Sequence, residues 1–461
     1  MISIIQAITL KGHVTDECVD MEEILSLVRP SREEEEMVAR VASELVEVFS
    51  SGLSARGHGD VEVTVQGSVA HGTWLPGEFD IDVFAAFPKT YGPEAIRSGR
   101  ALSLLADIAT AAGIPWSTRY AQHPYLTLRY GGFRADVVPC IRIEMGERPI
   151  TATDRTPLHT LYLRDKLKGK EDEVRLLKAF MKVGGIYGAE VGIGGFSGYL
   201  AELLIVEYGS FKETVRAAKS WRPRQVIDVE GHYSPPSLAR KRFDSPLIII
   251  DPVDPARNAA AAVTLEAMST FIAMSLAFTE KPSPSFFKPG PPSPAFSPLL
   301  VLMAPYPAGE PPDSVWGQLR RASSSLANAL RARGFQVYRN GQWTDEESEA
   351  AVFIAMESLE LSPLQLMKGP PAGSLESLSF LRKHVNAEMG PFIAGDRWYA
   401  VERRKVRDAV DAIKEEMPSM PAMIKSASII KVSNREELES LSKRLREAVL
   451  VFLSRPTWLQ P

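Results

Sequence analysis

The sequence predicts a mixed α+β protein built from several domains. Its 461 residues exceed the roughly 100–200 residues of a single domain. Short segments that alternate apolar and polar residues, as strands do, occur in both halves of the chain, between longer segments with the apolar spacing of helices. The composition, with 45% hydrophobic and 24% charged residues, is that of a globular protein and excludes a disordered or collagen-like chain.

The N-terminal part of the chain mixes helices and strands. We treat residues 1–20 as a separate extension, because strong helical patterning begins at Met21. Ser31 is predicted to cap a second helix that ends near Phe49, since the glutamates that follow it favour the positive end of the helix dipole. A further helix is expected near residues 93–112. Strands are predicted at residues 61–65, 81–84, 125–130 and 134–138.

The remainder of the chain divides at a segment rich in proline and serine. Residues 157–220 have a helical pattern, with helices predicted at 173–183 and 198–206. The Pro-rich segment, residues 281–298, resists regular structure and predicts a linker. A strand, a helix and two strands then predict a small α+β sandwich, at residues 299–303, 314–333, 336–339 and 351–358.

Charge and cysteine content exclude several classes of protein. The 53 basic and 57 acidic residues give a net charge of −4, which argues against a histone-like positive coat, although a nucleic-acid enzyme needs only a local basic face. Two cysteines, Cys18 and Cys140, cannot form a disulfide framework or a four-thiolate zinc site and favour a reducing compartment. We find no targeting signal and no apolar stretch of the about 20 residues that a membrane span needs, so we expect a cytoplasmic protein.

The segment from Gly67 to Asp82 carries the clearest chemical signal. Asp80 and Asp82 lie one residue apart on a predicted strand, so their side chains project from the same face. Two carboxylates on one face repel unless a cation lies between them, and a cation that prefers oxygen, most simply Mg²⁺, meets that need. Asp-x-Asp alone is more often a solvated strand end. Ser68, twelve residues before Asp80, follows a glycine at a helix start that could bind phosphate, which favours the functional interpretation.

A third carboxylate, Asp136, is expected on a neighbouring strand. By itself it is more often a charge at a strand edge, but with Asp80 and Asp82 it completes a triad able to hold two metal ions. Two metal ions can activate an attacking hydroxyl group and stabilise a leaving oxygen. The triad therefore predicts phosphoryl or nucleotidyl transfer, in which positioning and charge neutralisation supply most of the catalysis.

At these residues the chain resembles the archaeal-type (class I) CCA-adding enzymes, tRNA nucleotidyltransferases of the DNA polymerase beta superfamily. The resemblance covers most of the chain from Met21 onward and is looser in the C-terminal half. It rests on six segments: Gly67 to Phe84, Thr153 to His159, Glu173 to Lys178, Gly185 to Gly188, Gly195 to Leu200 and Asp251 to Asn258.

The resemblance implies both a domain plan and an activity. The plan is a nucleotidyltransferase head (21–155), a helical neck (156–280), the linker (281–298) and an α+β body and tail (299–461). The activity is template-independent addition and repair of CCA at tRNA 3′ ends from CTP and ATP, with release of pyrophosphate. The implied partners are CCA-lacking tRNA and a second copy of the chain in a homodimer.

The resemblance also implies roles for individual residues. Asp80, Asp82 and Asp136 match the metal-binding catalytic carboxylates, and Ser68 matches a serine that contacts the incoming triphosphate. The remaining matches are nucleotide contacts at His71, Arg155, His159, Lys178 and Tyr187, and a contact for base selection at Arg257. His71 departs from the family, which has arginine there. The difference matters for triphosphate binding because a neutral imidazole lacks the fixed positive fork of a guanidinium group.

Several of these residues have commoner explanations when each is considered alone. Lys178 would usually be a solvated helix lysine, His159 a core histidine and Tyr187 a packing residue between turn glycines. We interpret residues 196–199 as a helix start capped by Ser197, with a structural role.

Two basic segments are candidate surfaces for RNA. Residues 212–242 contain eight Lys or Arg and three acidic residues, a local positive excess that could follow a phosphate backbone. The second segment combines Trp398 and Tyr399, expected to be exposed, with Arg403, Arg404, Lys405 and Arg407.

Two alternatives to CCA addition stay open: a poly(A) polymerase or other polymerase beta-type transferase, and an inactive RNA-binding scaffold.

Overall fold

The computed structural model describes residues 21–78, 80–120 and 123–459. The predicted extension, residues 1–20, lies outside the described residues. The chain forms two compact units, and the boundary between Gly290 and Pro291 falls inside the Pro-rich segment. The first unit includes Ile193–Gly290 and the described residues up to Ala189, and the second includes Glu190–Gly192 and Pro291–Leu459. Every described helix is too short or too polar to cross a membrane.

The first unit begins with a five-stranded mixed sheet and the helices that cover it. The strand order is β1-β2-β5-β4-β3, in which β2 and β5 are parallel and the other neighbours are antiparallel. The elements are α1 Met21–Val28, α2 Arg32–Ser54, β1 Glu62–Gln66, α3 Gly67–His71, β2 Asp80–Phe87, α4 Glu94–Arg97, α5 Arg100–Ala111, β3 Trp116–Tyr120, β4 Pro124–Tyr130 and β5 Phe133–Ile141.

In this region the predicted helix cap is confirmed, whereas some helix and strand boundaries differ from the prediction. Ser31 caps α2, and Glu34 returns a hydrogen bond to the Ser31 backbone in a capping box, but the helix continues beyond Phe49. The helix expected near 93–112 is instead two helices, because Gly99, with φ of +76°, separates them. Strand β3 was not predicted, since its residues lack the apolar alternation that marks a strand packed on a core.

The rest of the first unit is mainly helical, with a small parallel sheet of β6 and β7. Its elements are α6 Arg155–Lys166, α7 Glu171–Val183, α8 Gly198–Tyr208, α9 Phe211–Ala218, β6 Gln225–Ile227, α10 Ser237–Arg242, β7 Leu247–Ile249 and α11 Leu265–Glu280.

Aromatic packing orders the start of the Pro-rich segment. Phe286 and Phe287 are buried, and both rings lie within about 6 Å of Phe180, centroid to centroid. A 3₁₀ turn at Pro284–Phe286 presents them to this cluster. The expectation that the whole segment lacks regular structure is therefore wrong for these residues, because burial of two large rings outweighs the local effect of proline.

The second unit is built on a four-stranded antiparallel sheet of order β14-β8-β10-β9 and a three-stranded sheet of order β11-β13-β12. The predicted strand–helix–strand–strand order is confirmed. The elements are β8 Leu299–Pro305, α12 Pro312–Ala332, β9 Val337–Thr344, β10 Glu349–Met356, β11 Leu364–Pro371, α13 Glu376–Lys383, β12 Met389–Ala394, β13 Arg397–Arg403, α14 Ala409–Glu416, α15 Ala422–Lys425, β14 Ser428–Val432, α16 Arg435–Glu439 and α17 Lys443–Leu453.

Helices cover both faces of the four-stranded sheet. Leu300 and Leu302 of β8 belong to one core with α12 and α14, whereas Leu299 and Val301 belong to another with α16 and α17. Alternate residues of β8 therefore pack in opposite directions, which explains its continuous apolar sequence.

Candidate active site

Three carboxylates share one face of the five-stranded sheet. Asp80 and Asp82 lie on β2, and Asp136 lies on the parallel neighbour β5, in register with Asp82. Residues in register on adjacent strands, and residues two apart on one strand, project to the same face. The sequence placed Asp80 and Asp82 on one face, and the structure brings Asp136 to them from 54 residues along the chain.

These carboxylates carry more negative charge than the protein neutralises. Burial, together with the charges of Asp136 and Asp80, raises the pKa of Asp82 to about 7. Arg134 offsets part of this charge, since Nη2 donates to Asp136 Oδ2 at 3.1 Å and Nε lies 4.0 Å from Asp80 Oδ1. Thr127 Oγ1 donates to the other oxygen of Asp136 at 2.7 Å.

The donor set fits a divalent cation by its chemistry. It consists of carboxylate oxygens, the ligands preferred by hard divalent ions, and their mutual repulsion favours a bound positive charge. The Asp80 side chain is 75% exposed, so it faces solvent. Within the described ranges, no group of three or more His, Cys, Asp or Glu side chains, these aspartates included, is arranged closely enough to hold a metal ion by itself. The carboxylates are thus an open set on one face of the sheet.

The glycine of the Gly67-Ser68 pair is required by its contact with Asp82. Gly67 has a φ of +67°, and a Cβ atom there would lie 2.6 Å from Asp82 Oδ2. Any other residue would meet both backbone strain and this clash. Gly67 therefore lets the start of α3 approach the carboxylates closely, and Ser68 follows it on the same turn.

A cavity of about 700 Å³ opens beside the carboxylates. Its lining includes every residue that the sequence singled out for metal or nucleotide binding. These residues are Ser68, His71, Asp80, Asp82, Asp136, Arg155, His159, Lys178, Tyr187 and Arg257. Their convergence is a result of the fold, since they span 190 positions of the sequence.

One wall of the cavity contains a buried hydrogen-bond network around Glu202. The Glu202 carboxylate accepts from Thr73 Oγ1 at 2.6 Å and from His71 Nδ1 at 3.1 Å. Lys178 Nζ donates to the Thr73 carbonyl oxygen at 2.9 Å and to the Thr73 hydroxyl at 3.2 Å. Burial lowers the pKa of Lys178, and the charge of Glu202 offsets part of that effect. Lys178 is therefore a buried lysine bonded to the protein, which excludes the solvated-lysine interpretation.

A second buried carboxylate, Asp251, holds three other lining residues. Its Oδ2 accepts from Arg257 Nη1 at 2.6 Å and lies 2.9 Å from His159 Nε2, and its Oδ1 accepts from the Tyr199 hydroxyl at 3.2 Å. The His159 and Tyr199 rings stack, with centroids 3.9 Å apart. Burial lowers the pKa of His159, although Asp251 opposes this effect. The neutral ring then donates its Nε2 proton to Asp251.

Arg155, Tyr187 and Ser68 complete the predicted lining. Arg155 Nη1 donates to Asp254 Oδ2 at 3.0 Å, so its charge is paired within the protein. The Tyr187 backbone forms a short parallel bridge with Phe196. Ser68 is half-buried on α3 and lines the cavity.

Sequence reasoning missed the residues that hold the lining in place. Glu202 was detectable as an acid inside the apolar run of α8, where an unpaired charge is rare. Asp251 lies in a segment that carries the resemblance, but we assigned it no role. Ser197 caps α8 as predicted. The purely structural interpretation of residues 196–199 is nevertheless wrong for Tyr199, which lines the cavity.

The first basic segment remains largely exposed. Arg216 pairs with Glu213, and Arg224 pairs with Asp244. The basic side chains at the surface that have no acidic partner among the described ion pairs are Lys212, Arg222, Arg240, Lys241 and Arg242. This part of the first unit therefore presents a positive surface.

The second basic segment differs from the expectation. Trp398 and Tyr399 on β13 are half-buried, because both pack within the three-stranded sheet. Arg404 is also held by the protein, with hydrogen bonds to the Arg333 carbonyl oxygen and to Gln365. Arg403 pairs with Glu388. The expectation of exposed aromatic rings is therefore wrong, whereas Lys405 and Arg407 are exposed and have no acidic partner among the described ion pairs.

Comparison with known proteins gives a consistent result along the chain. Family models match at residues 46–159 (nucleotidyltransferase domain), 172–288 (tRNA nucleotidyltransferase, second domain) and 309–427 (CCA-adding enzyme, C-terminal domain). A CCA-adding enzyme of Pyrobaculum neutrophilum is 42% identical over 401 residues, which cover 86% of this chain and 93% of that protein.

More distant relatives extend the match. A CCA-adding enzyme of Methanothermobacter thermautotrophicus is 36% identical and covers 94% of this chain and 96% of that protein. The enzyme of the same name from Sulfurisphaera tokodaii is 35% identical, over 95% of this chain and 99% of that protein. With three matching domain models and relatives that align over nearly their full length, the chain belongs to the archaeal family of CCA-adding enzymes, which are tRNA nucleotidyltransferases.

Proposed function

We propose that this chain adds and repairs the CCA sequence at tRNA 3′ ends from CTP and ATP, with Mg²⁺ bound by Asp80, Asp82 and Asp136. The observation that carries this assignment is the placement of three carboxylates on one sheet face, at the edge of a cavity lined by hydroxyl and cationic groups. Poly(A) polymerase activity and a non-catalytic scaffold role are not favoured, because the family models match domains specific to CCA-adding and tRNA nucleotidyltransferases.

The reaction joins the tRNA 3′-oxygen to the α-phosphorus of the nucleotide. The bond from the α-phosphorus to the oxygen bridging to the β-phosphate breaks, and pyrophosphate leaves. Divalent cations supply positive charge to the attacking and leaving oxygens. Asp80, Asp82 and Asp136 would hold those cations against the sheet, while Gly67 keeps the backbone close enough for the phosphates to reach both the carboxylates and α3.

The triphosphate would lie against the wall formed by α3, α7 and α8. Ser68 offers a hydroxyl donor there. Lys178 donates two hydrogen bonds to Thr73, which leaves the third proton of its ammonium group for a phosphate oxygen. We assign the base and sugar to the side of the cavity lined by His159, Tyr187 and Arg257.

This function is tested by incubating the protein with Mg²⁺, with each labelled nucleotide in turn, and with tRNA from which the CCA end is missing. We expect ordered incorporation of two C residues and one A residue. Long poly(A) tails would instead contradict the assignment.

Light scattering of the purified protein tests the homodimer that we propose from the resemblance, and a monomer would contradict it.

The Asp82→Ala variant tests the carboxylate assignment. We expect no incorporation of CMP or AMP, because the cations lose a ligand next to the reacting phosphate, while tRNA still binds. Asp107→Ala is the matched control, since Asp107 is an exposed carboxylate on α5 outside the cavity. Near-normal turnover by Asp82→Ala would show that Asp82 does not bind the catalytic metal.

A further inference from the structure

The His71 ring has one nitrogen bonded to the protein and one buried nitrogen with no hydrogen-bond partner among the described residues. Its side chain is 3% exposed and lines the cavity. Nδ1 lies 3.1 Å from Glu202 Oε1, whereas Nε2 is buried and has no hydrogen-bond partner in the part of the chain that the structure describes. An unpartnered buried nitrogen costs free energy in the folded protein, so a group that binds in the cavity is its natural partner.

The ionisation of Glu202 determines which nitrogen carries the proton. Burial raises the pKa of Glu202, but hydrogen bonds from His71 and Thr73 and the charge of Lys178 lower it overall. An ionised carboxylate only accepts hydrogen bonds, so Nδ1 of His71 must be the donor. Nε2 is then the ring atom left for a ligand.

The charge of the ligand decides the state of Nε2. Oxygens of a bound triphosphate accept hydrogen bonds, so Nε2 must carry a proton to bind one. The ring then holds protons on both nitrogens and is positively charged. The buried Glu202 carboxylate stabilises that charge, as in other charge-assisted pairs.

We propose that Glu202 is a positioning residue that holds His71 as a charged hydrogen-bond donor toward the nucleotide triphosphate. The inference rests on the proposed function, because it takes the triphosphate as the group in the cavity. Glu202 acts through His71 and does not itself contact the nucleotide.

The Glu202→Gln variant tests this proposal. Glutamine keeps the acceptor for His71 and Thr73 but removes the negative charge. We expect the KM and the equilibrium Kd for CTP and for ATP to rise by about tenfold, the effect of one charge-assisted hydrogen bond, with kcat changed by less than about threefold. Glu207→Gln is the matched control, since Glu207 lies on the same helix outside the cavity. An unchanged Kd in Glu202→Gln would overturn the proposal.

The double variant His71→Arg/Glu202→Gln separates positioning from a general structural effect. Arginine carries its charge without help from a carboxylate. We therefore expect the double variant to regain the wild-type Kd to within about threefold. Failure of arginine to restore binding would show that Glu202 does not act through His71.

Two further measurements keep the test decisive. If thermal melts show that Glu202→Gln does not fold, Glu202→Asp is used in its place. Aspartate keeps the negative charge, but its side chain is one methylene group shorter, so the carboxylate lies farther from His71. We then expect a raised Kd, and a wild-type Kd would contradict the proposal. Wild-type incorporation of C and A is measured in the same series, so failure of the proposed function is distinguished from failure of this inference.

Discussion

Asp82 and Asp251 are buried carboxyl groups with opposite electrostatic surroundings. Burial raises the pKa of Asp251, but the hydrogen bonds from His159 and Arg257 lower it well below its ordinary value. Asp82 accepts no such hydrogen bonds from the other described residues, so burial and the like charges of Asp136 and Asp80 raise its pKa. The protein therefore compensates the charge of Asp251 internally, whereas the charge of Asp82 is left for the cation that we propose.

The surroundings of Asp82 predict a pH-dependent cost to stability. The pKa is about 7 in the folded protein and near 3.8 in the unfolded chain, so the folded state binds more protons between these values. The contribution of Asp82 to the free energy of unfolding therefore falls as pH rises through this window, by up to about 4 kcal/mol. Asp82→Asn removes this dependence.

Urea unfolding in the presence of a chelator measures this effect. We expect Asp82→Asn to be more stable than the wild type at pH 8, and the two proteins to have similar stability near pH 4. Excess Mg²⁺ should reduce the difference in stability between the two proteins at pH 8, because it binds to and stabilises the folded wild type. If the free energies of unfolding of Asp82→Asn and the wild type differ by the same amount at pH 4 and pH 8, the charge of Asp82 does not destabilise the folded protein.

At the scale of elements, helix α7 fixes the loop between α3 and β2. Arg175 donates to the carbonyl oxygens of Gly72 and Trp74, and Lys178 donates to that of Thr73 between them. Three successive carbonyl groups of the loop are thus held by one helix. The loop connects Ser68 and His71 with β2, so α7 holds the side of the cavity to which we assign the triphosphate.

The Arg175→Met variant tests this role of α7. Methionine fills part of the buried space but leaves two loop carbonyl groups without their donors. We expect a loss of about 2–4 kcal/mol in the free energy of unfolding and a raised KM for nucleotide. Lys182→Met on the same helix is the control, because its surface ion pair with Glu78 contributes about 1 kcal/mol at most. Equal effects of the two substitutions would contradict this role.

At the scale of the whole molecule, a net charge of −4 conceals a separation of charge. Three aspartates collect on one face of the five-stranded sheet, whereas the exposed charged side chains of residues 212–242 are mainly basic. Both features belong to the first unit. A polyanion is therefore attracted to one surface of this unit while cations are attracted to another.

Charge reversal on helix α10 tests whether this surface binds tRNA. We expect Lys241→Glu/Arg242→Glu to raise the Kd for tRNA at least tenfold at low salt and to flatten its dependence on salt, because fewer counterions are released. Arg56→Glu/Arg97→Glu changes the net charge equally in the same unit, outside the basic segment, and should alter the Kd by less than about threefold. Equal losses in both proteins would indicate a non-specific effect of charge.

The sequence by itself determined the features that depend on local spacing. The alternation of a strand puts Asp80 and Asp82 on one face, and the cap at Ser31 and the helix start at Ser197 follow from neighbouring residues. Asp136 was expected from the sequence on a neighbouring strand, but only the pairing of β2 with β5 puts it in register with Asp82.

The tertiary structure alone decided how the cationic and aromatic side chains are held. Glu202 meets His71 across 131 positions of the chain, and Asp251 meets His159 across 92. No local periodicity encodes such contacts, because they arise from the packing of helices around the cavity. Trp398 and Tyr399 proved half-buried partly for the same reason: the hairpin strand β12 is local, but β11 pairs with β13 from further away, with Lys368 opposite Tyr399 across 31 positions.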